Sequence, residues 1–189
     1  YTSFDVTIDS VKHNGATFAT GDTLNTDDDQ EITVNVKVTN TGNLPGKKVV
    51  QLYYSAPYYN GEIEKSSVTF LDFEKSKLLS PGQSQIIPIT FFVQDMASFD
   101  FDDANNNGHA GYELDAGDYK IGIYDSSHEL LDSIDAVISE TRNYDKDQHT
   151  GGDVEVRFTG DGTWDGTRSD LTYYDSRRTQ FVSETPMTY

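Results

Sequence analysis

The chain has 189 residues, enough for one domain of ordinary size with a polar remainder, and its 35% hydrophobic and 12% aromatic content limits any core to a single layer pair. Fourteen Lys and Arg against 32 Asp and Glu leave a formal charge of −18, a surface that repels nucleic-acid phosphates and anionic membranes, so neither is an expected partner. The absence of cysteine removes disulfides and thiolate metal sites without identifying a compartment, and secreted and cytoplasmic locations both stay open.

Strand signals begin at Phe4 to His13 and end at the turn dipeptide Asn14-Gly15. After the polar run Asn25 to Asp29, Ile32, Val34, Val36 and Val38 alternate with Thr33, Asn35, Lys37 and Thr39, a period of two that places the aliphatic residues on one buried face. The run Asn40 to Gly46 is rich in turn formers, and alternation resumes over Lys48 to Ser55, with Val50, Leu52 and Tyr54 inward and Tyr53 outward. Further strands are predicted over Ser67 to Lys77 and Gln85 to Val93, separated by Pro81-Gly82, then over Gly117 to Tyr124 and Leu130 to Ser139. Seven or eight short strands with regularly spaced turns and no long helical period predict an all-β immunoglobulin or fibronectin III-like sandwich over residues 1–140. Beyond Glu140 the chain turns polar and Gly-rich, so 141–189 reads as an extended tail lying on a neighbouring domain, with Asp153 to Phe158 and Leu171 to Tyr174 as candidate edge strands. Nothing reads as a membrane span or signal peptide, and a start at Tyr1 reads as an excised or processed piece.

Four phrases in fixed order, VTNTGNLPGKKVVQLYYSAP, FEKSKLLSPGQSQ, DMASFD and LDAGDYKIGI, closely resemble the fibronectin type III-like domain of family 3 glycoside hydrolases, the β-glucosidase family. The NNNGHAGYELDAGDY loop and LTYYDSR further resemble members of reversed domain order, in which this module precedes the barrel domain. The resemblance implies a non-catalytic, domain-orienting role, with the missing catalytic domains of the same polypeptide as partners and oligosaccharide engaged through the parent. That parent would release terminal β-linked glucose or xylose with retention, using an Asp nucleophile on a barrel and a Glu acid/base on an α/β domain. Neither domain is present. Trp164-Asp165 echoes the nucleophile motif but sits between glycines with no βα unit around it, so no catalytic residue is assigned.

Two constellations carry binding chemistry. Asp103, Asn105, Asn107 and Gly108 form D-x-N-x-N-G, the opening half of a calcium loop, but Leu114 occupies the place of the closing bidentate Glu. The competing reading is a turn-rich loop whose Asn side chains cap their own backbone, and no cofactor is otherwise expected. Tyr58 and Tyr59, in the loop after Pro57, and Trp164 are candidates for stacking on sugar or for docking a neighbouring domain. The long Phe99 to Gly117 loop is the segment expected to reach an active-site rim. His13, His109, His128 and His149 are dispersed and show no metal or triad spacing. Two alternatives of other classes stand beside the accessory role: a stand-alone carbohydrate-binding module and a calcium-stabilised surface or adhesion module.

Overall fold

The computed structural model describes residues 2–101, 103–155, 172–174 and 181–183. It divides into two compact units, 1–156 and 157–189.

The first unit is an all-β sandwich. One sheet has the order β2-β1-β3-β6, built from β1 (Phe4–His13), β2 (Ala16–Phe18), β3 (Glu31–Asn40) and β6 (Ser84–Phe92). Asn14 and Gly15, both at positive φ (47° and 78°), form the two-residue turn that pairs β1 with β2, the mirror-image turn whose twist matches that of the strands it joins. Pro88 lies in β6 opposite Asn35, and β6 is an edge strand, where a missing N–H breaks no ladder. The second sheet has the order β10-β9-β4-β5, from β4 (Val49–Ser55), β5 (Thr69–Lys75), β9 (Gly117–Ser126) and β10 (Glu129–Ile138), and all neighbours in both sheets are antiparallel.

The alternation decides what lies between the sheets. Val34, Val36 and Val38 of β3 and Ile87 and Ile89 of β6 meet Val50, Leu52 and Tyr54 of β4 and Tyr119, Ile121 and Ile123 of β9 in one buried core. Each fully buried aliphatic side chain contributes roughly 1.5–3 kcal/mol by leaving water. The open edge of β10 is covered by the segment 20–24, which runs parallel to it: the Leu24 N–H donates to Val137 O at 2.9 Å and the Val137 N–H to Asp22 O at 3.0 Å.

Two features depart from the expected organisation. The Phe99 to Gly117 stretch is not one loop, because β7 (Ser98–Asp100) and β8 (Gly111–Leu114) pair across its base, and β11 (Arg142–Tyr144) joins them in the order β11-β8-β7. The polar segment after 140 therefore belongs in part to the sandwich unit. Tyr144 is buried with its hydroxyl on Thr26 O at 3.1 Å, and the Gln148 N–H donates to Gln94 Oε1 at 2.8 Å, holding this segment on the 3₁₀ turn Val93–Met96. Of the two candidate edge strands, Asp153 makes an isolated bridge with Lys146, and Thr172–Tyr174 is a strand, β12, pairing with β13 (Phe181–Ser183) in the second unit. Residues 156–158 and Leu171 lie outside the described residues.

Candidate functional site

One end of the sandwich gathers the β4–β5 connection, the β7–β8 loop and the turn before β9. Tyr59 is set there by local chemistry. The Glu62 N–H donates to Tyr59 O at 3.2 Å, Gly61 takes φ 91°, and the phenol donates to Ala116 O at 2.9 Å. Gly117, at φ 138°, makes room for it, since a Cβ at that position would stand 2.8 Å from the Tyr59 hydroxyl and 3.0 Å from Pro57. Tyr58 is half exposed and donates to Glu64 at 2.9 Å. Lys65 is buried beneath this loop, where its ammonium donates to Pro57 O at 3.0 Å and pairs with the buried carboxylate of Asp115.

The Asn-rich loop folds on its own backbone. Both Asp103 carboxylate oxygens accept from the Gly108 N–H at 3.1 Å, Asn105 Oδ1 accepts from the Asn107 N–H at 3.2 Å, and Asn107 Oδ1 accepts from the His109 N–H at 2.8 Å. These oxygens accept amide donors of their own loop, and the amide nitrogens of Asn105 and Asn107 point at the carboxylate of Glu113. Burial raises the Glu113 pKa, the two Asn donors pull it back, and Asp115 pushes it up again. Among the described residues no group of three or more His, Cys, Asp or Glu is arranged to hold a metal.

The tertiary fold brings three of the sequence candidates, Tyr59, Asn105 and Asn107, together. A surface pocket of about 400 Å³ is lined by Tyr59, Glu62, Asn105, Asn107, Ala116 and Thr141, with Asp115 at its base. Asp103 and Tyr58 do not line it, and Trp164 lies outside the described residues. Of the four histidines, His149 forms a hydrogen-bonded pair with Asp95 at 2.7 Å, which raises its pKa, whereas burial lowers that of His13.

A second surface was not anticipated. The outer face of the β10-β9-β4-β5 sheet carries Tyr53, Phe70, Phe73, Tyr124 and Leu130, with Phe70, Phe73 and Leu130 exposed. Strict alternation would send Phe70 and Phe73 to opposite faces, but a register shift between Leu52 and Tyr53 puts Phe73 opposite Gln51 and Phe70 opposite Tyr53, all on the outside. A second shift, between Leu130 and Asp132, does the same for Leu130 opposite Tyr124, and both side chains close over Gly122, where a Cβ would stand 2.7 Å from Leu130 and 2.8 Å from Tyr124. The outer face of the other sheet is instead hydroxylated, with Thr33 on Thr90 at 2.9 Å and Thr39 on Ser84 at 2.8 Å.

No family model matches the chain. Over 88 residues it is 43% identical to beta-glucosidase A of Butyrivibrio fibrisolvens, a match spanning 47% of this chain and 10% of that protein. Over 91 residues it is 36% identical to a beta-glucosidase of Ruminococcus albus, spanning 48% of this chain and 9% of that one. In structure it is similar to a beta-glucosidase from Paenibacillus barengoltzii, with a TM-score of 0.60 and 32% identity over 75% of this chain and 14% of that chain. The matched region thus spans about a tenth of the length of these curated relatives.

Proposed function

We propose that this chain, a relative of one segment of the family 3 β-glucosidases, is a non-catalytic accessory module that seats and orients the catalytic domains of such an enzyme. The parent enzyme would remove terminal β-linked glucose or xylose from oligosaccharides. The observation that carries the reading is the aromatic outer face of the β10-β9-β4-β5 sheet. An exposed apolar patch of this kind marks a surface made to be covered. Its rings are mutually tilted, Tyr53 against Phe70 at 75° and Tyr53 against Tyr124 at 53°, so they offer no common plane for a sugar ring and suit the irregular relief of protein side chains. The proposed occupant is the remainder of the same polypeptide, since the relatives are roughly ten times longer than the matched segment.

The test is to read the frame on both sides of the segment, express the parent polypeptide, and compare it with a Phe70→Ser/Phe73→Ser variant. Docking through this face predicts a parent that melts earlier and loses activity, while the isolated chain, whose core these rings do not enter, melts where it did before. A parent unchanged in both respects overturns the docking face. Hydrolysis of an aryl β-glucoside by the isolated chain overturns the non-catalytic role.

A further inference from the structure

We infer that the pocket at the loop end of the sandwich, between Tyr59 and the Asn105–Asn107 turn, is a binding site for a neutral saccharide. This goes beyond an orienting role and does not rest on it. A pyranose presents an apolar C–H face and a rim of hydroxyls, each able to donate and accept. The pocket offers both kinds of partner, already positioned. Tyr59 supplies a ring, 43% exposed and held at its far end by the bond to Ala116 O. Thr141 Oγ1 accepts from the Ala116 N–H at 3.0 Å, which leaves its own O–H to donate. Asn105 and Asn107 each commit one amide hydrogen to Glu113 and keep the second on the same nitrogen. Glu62 lines the pocket with a carboxylate that makes no hydrogen bond or ion pair among the described residues, a free acceptor for a sugar hydroxyl.

The chemistry of the lining narrows the ligand class. At about 400 Å³ the pocket sits at the small end of the range for ligand sites, roughly 300–1,000 Å³, with room for a mono- or disaccharide. Lys65 neutralises Asp115 from below, yet Glu62 and the overall charge of −18 disfavour uronates and sulfated sugars. The amide nitrogens of Asn105 and Asn107, donors in the lining, suit a sugar hydroxyl rather than a divalent cation. The ligand is therefore a neutral saccharide, and a site so open to water holds it weakly, with Kd on the order of millimolar.

The experiment is a titration of the ¹⁵N-labelled full chain with cellobiose and xylobiose, with methyl glucuronide and calcium chloride as separate arms. The expected result is saturable movement of the Glu62, Ala116 and Thr141 amides with a neutral disaccharide, and none of that size with the glucuronide. Tyr59→Ala should weaken binding at least tenfold. Glu62→Ala removes a half-buried side chain that makes no hydrogen bond or ion pair among the described residues and should weaken it severalfold without disturbing the fold, while Tyr58→Ala, outside the pocket, should leave it unchanged. The proposal is overturned by the absence of saturable shifts with any neutral disaccharide, by shifts indifferent to both Tyr59→Ala and Glu62→Ala, or by a response at this loop to calcium alone.

Discussion

The side-chain amide of Asn40 donates to the carbonyl oxygen of Leu79 at 2.8 Å, joining the end of β3 to the turn that leads into β6. The same nitrogen donates to Leu44 O at 2.8 Å, and Asn40 Oδ1 accepts from the Thr2 hydroxyl at 2.8 Å and from the Gly42 N–H at 3.0 Å. The residue is fully buried, and every polar atom of its amide is engaged. Its role explains why the turn motif after β3 is so sharply defined: one side chain adds to the backbone bridge between Gly46 and Leu79 where three segments converge.

Replacing Asn40 by Ala removes four side-chain hydrogen bonds from a fully buried residue, those to the carbonyls of Leu44 and Leu79 among them, although Leu79 O keeps the Gly46 N–H at 3.0 Å, and each net bond contributes on the order of 1 kcal/mol. Asn40→Ala is expected to destabilise the sandwich by about 3 kcal/mol, and Asn40→Asp by at least as much, since a carboxylate cannot donate to those carbonyls. Urea denaturation followed by far-ultraviolet circular dichroism checks both. A loss under about 1 kcal/mol would mean that the turn is held by its backbone alone.

Lys65 and Asp115 are an ion pair with side chains only 6% and 5% exposed. Removing one partner of a buried pair leaves the other charged and unpaired, at a cost of about 3–5 kcal/mol, whereas replacing both by apolar residues is often close to neutral. Lys65→Met should therefore be much less stable than the double variant Lys65→Met/Asp115→Leu. If the single and double variants melt together, the pair does not anchor the loop that carries Tyr59.

Proton linkage has a definite sign. His149 gains a carboxylate partner in Asp95, which raises its pKa above the ordinary 6.5, so its contribution to stability is fully present below that value and fades as pH rises through the folded-state value. Glu113, raised chiefly by burial, acts in the same sense at lower pH: its protonated form favours the folded state, and that contribution is lost as pH climbs past its ordinary 4.5. His13, lowered by burial, opposes them, because charging it on acidification favours the unfolded chain. Relative to the parent chain, the change of melting temperature with rising pH through the histidine range should be less downward in His149→Gln and more downward in His13→Asn. An unchanged slope in His149→Gln would remove the Asp95 pair from the account.

Much of the fold was legible as pattern. The Ile32 to Val38 alternation, its continuation in Val50, Leu52 and Tyr54, and the repeats at Ile87, Ile89 and at Tyr119, Ile121, Ile123 all name residues of the buried core, because a period of two commits a whole strand to one face. Asn14-Gly15 and Pro81-Gly82 named their turns, since few other residues accept the positive φ that Gly15 and Gly82 adopt there. The exposure of Tyr58 and Tyr59 followed from their place in a loop after Pro57.

By itself the sequence determined those strands, their inward faces and the punctuation between them, all properties of residues a few positions apart. Tertiary structure alone decided the rest. Phe70 and Phe73 share a face through a register shift set by pairing with β4, which no alternation rule reads from FLDF. β7, β8 and β11 are strands of only three or four residues, too short to carry a period, and they exist through one another. Tyr59, Asn105, Asn107 and Thr141 become neighbours only when the loops that carry them are drawn to one end of a finished sandwich. A side chain's face is written by its immediate neighbours in the chain; its company is written by the packing of the whole.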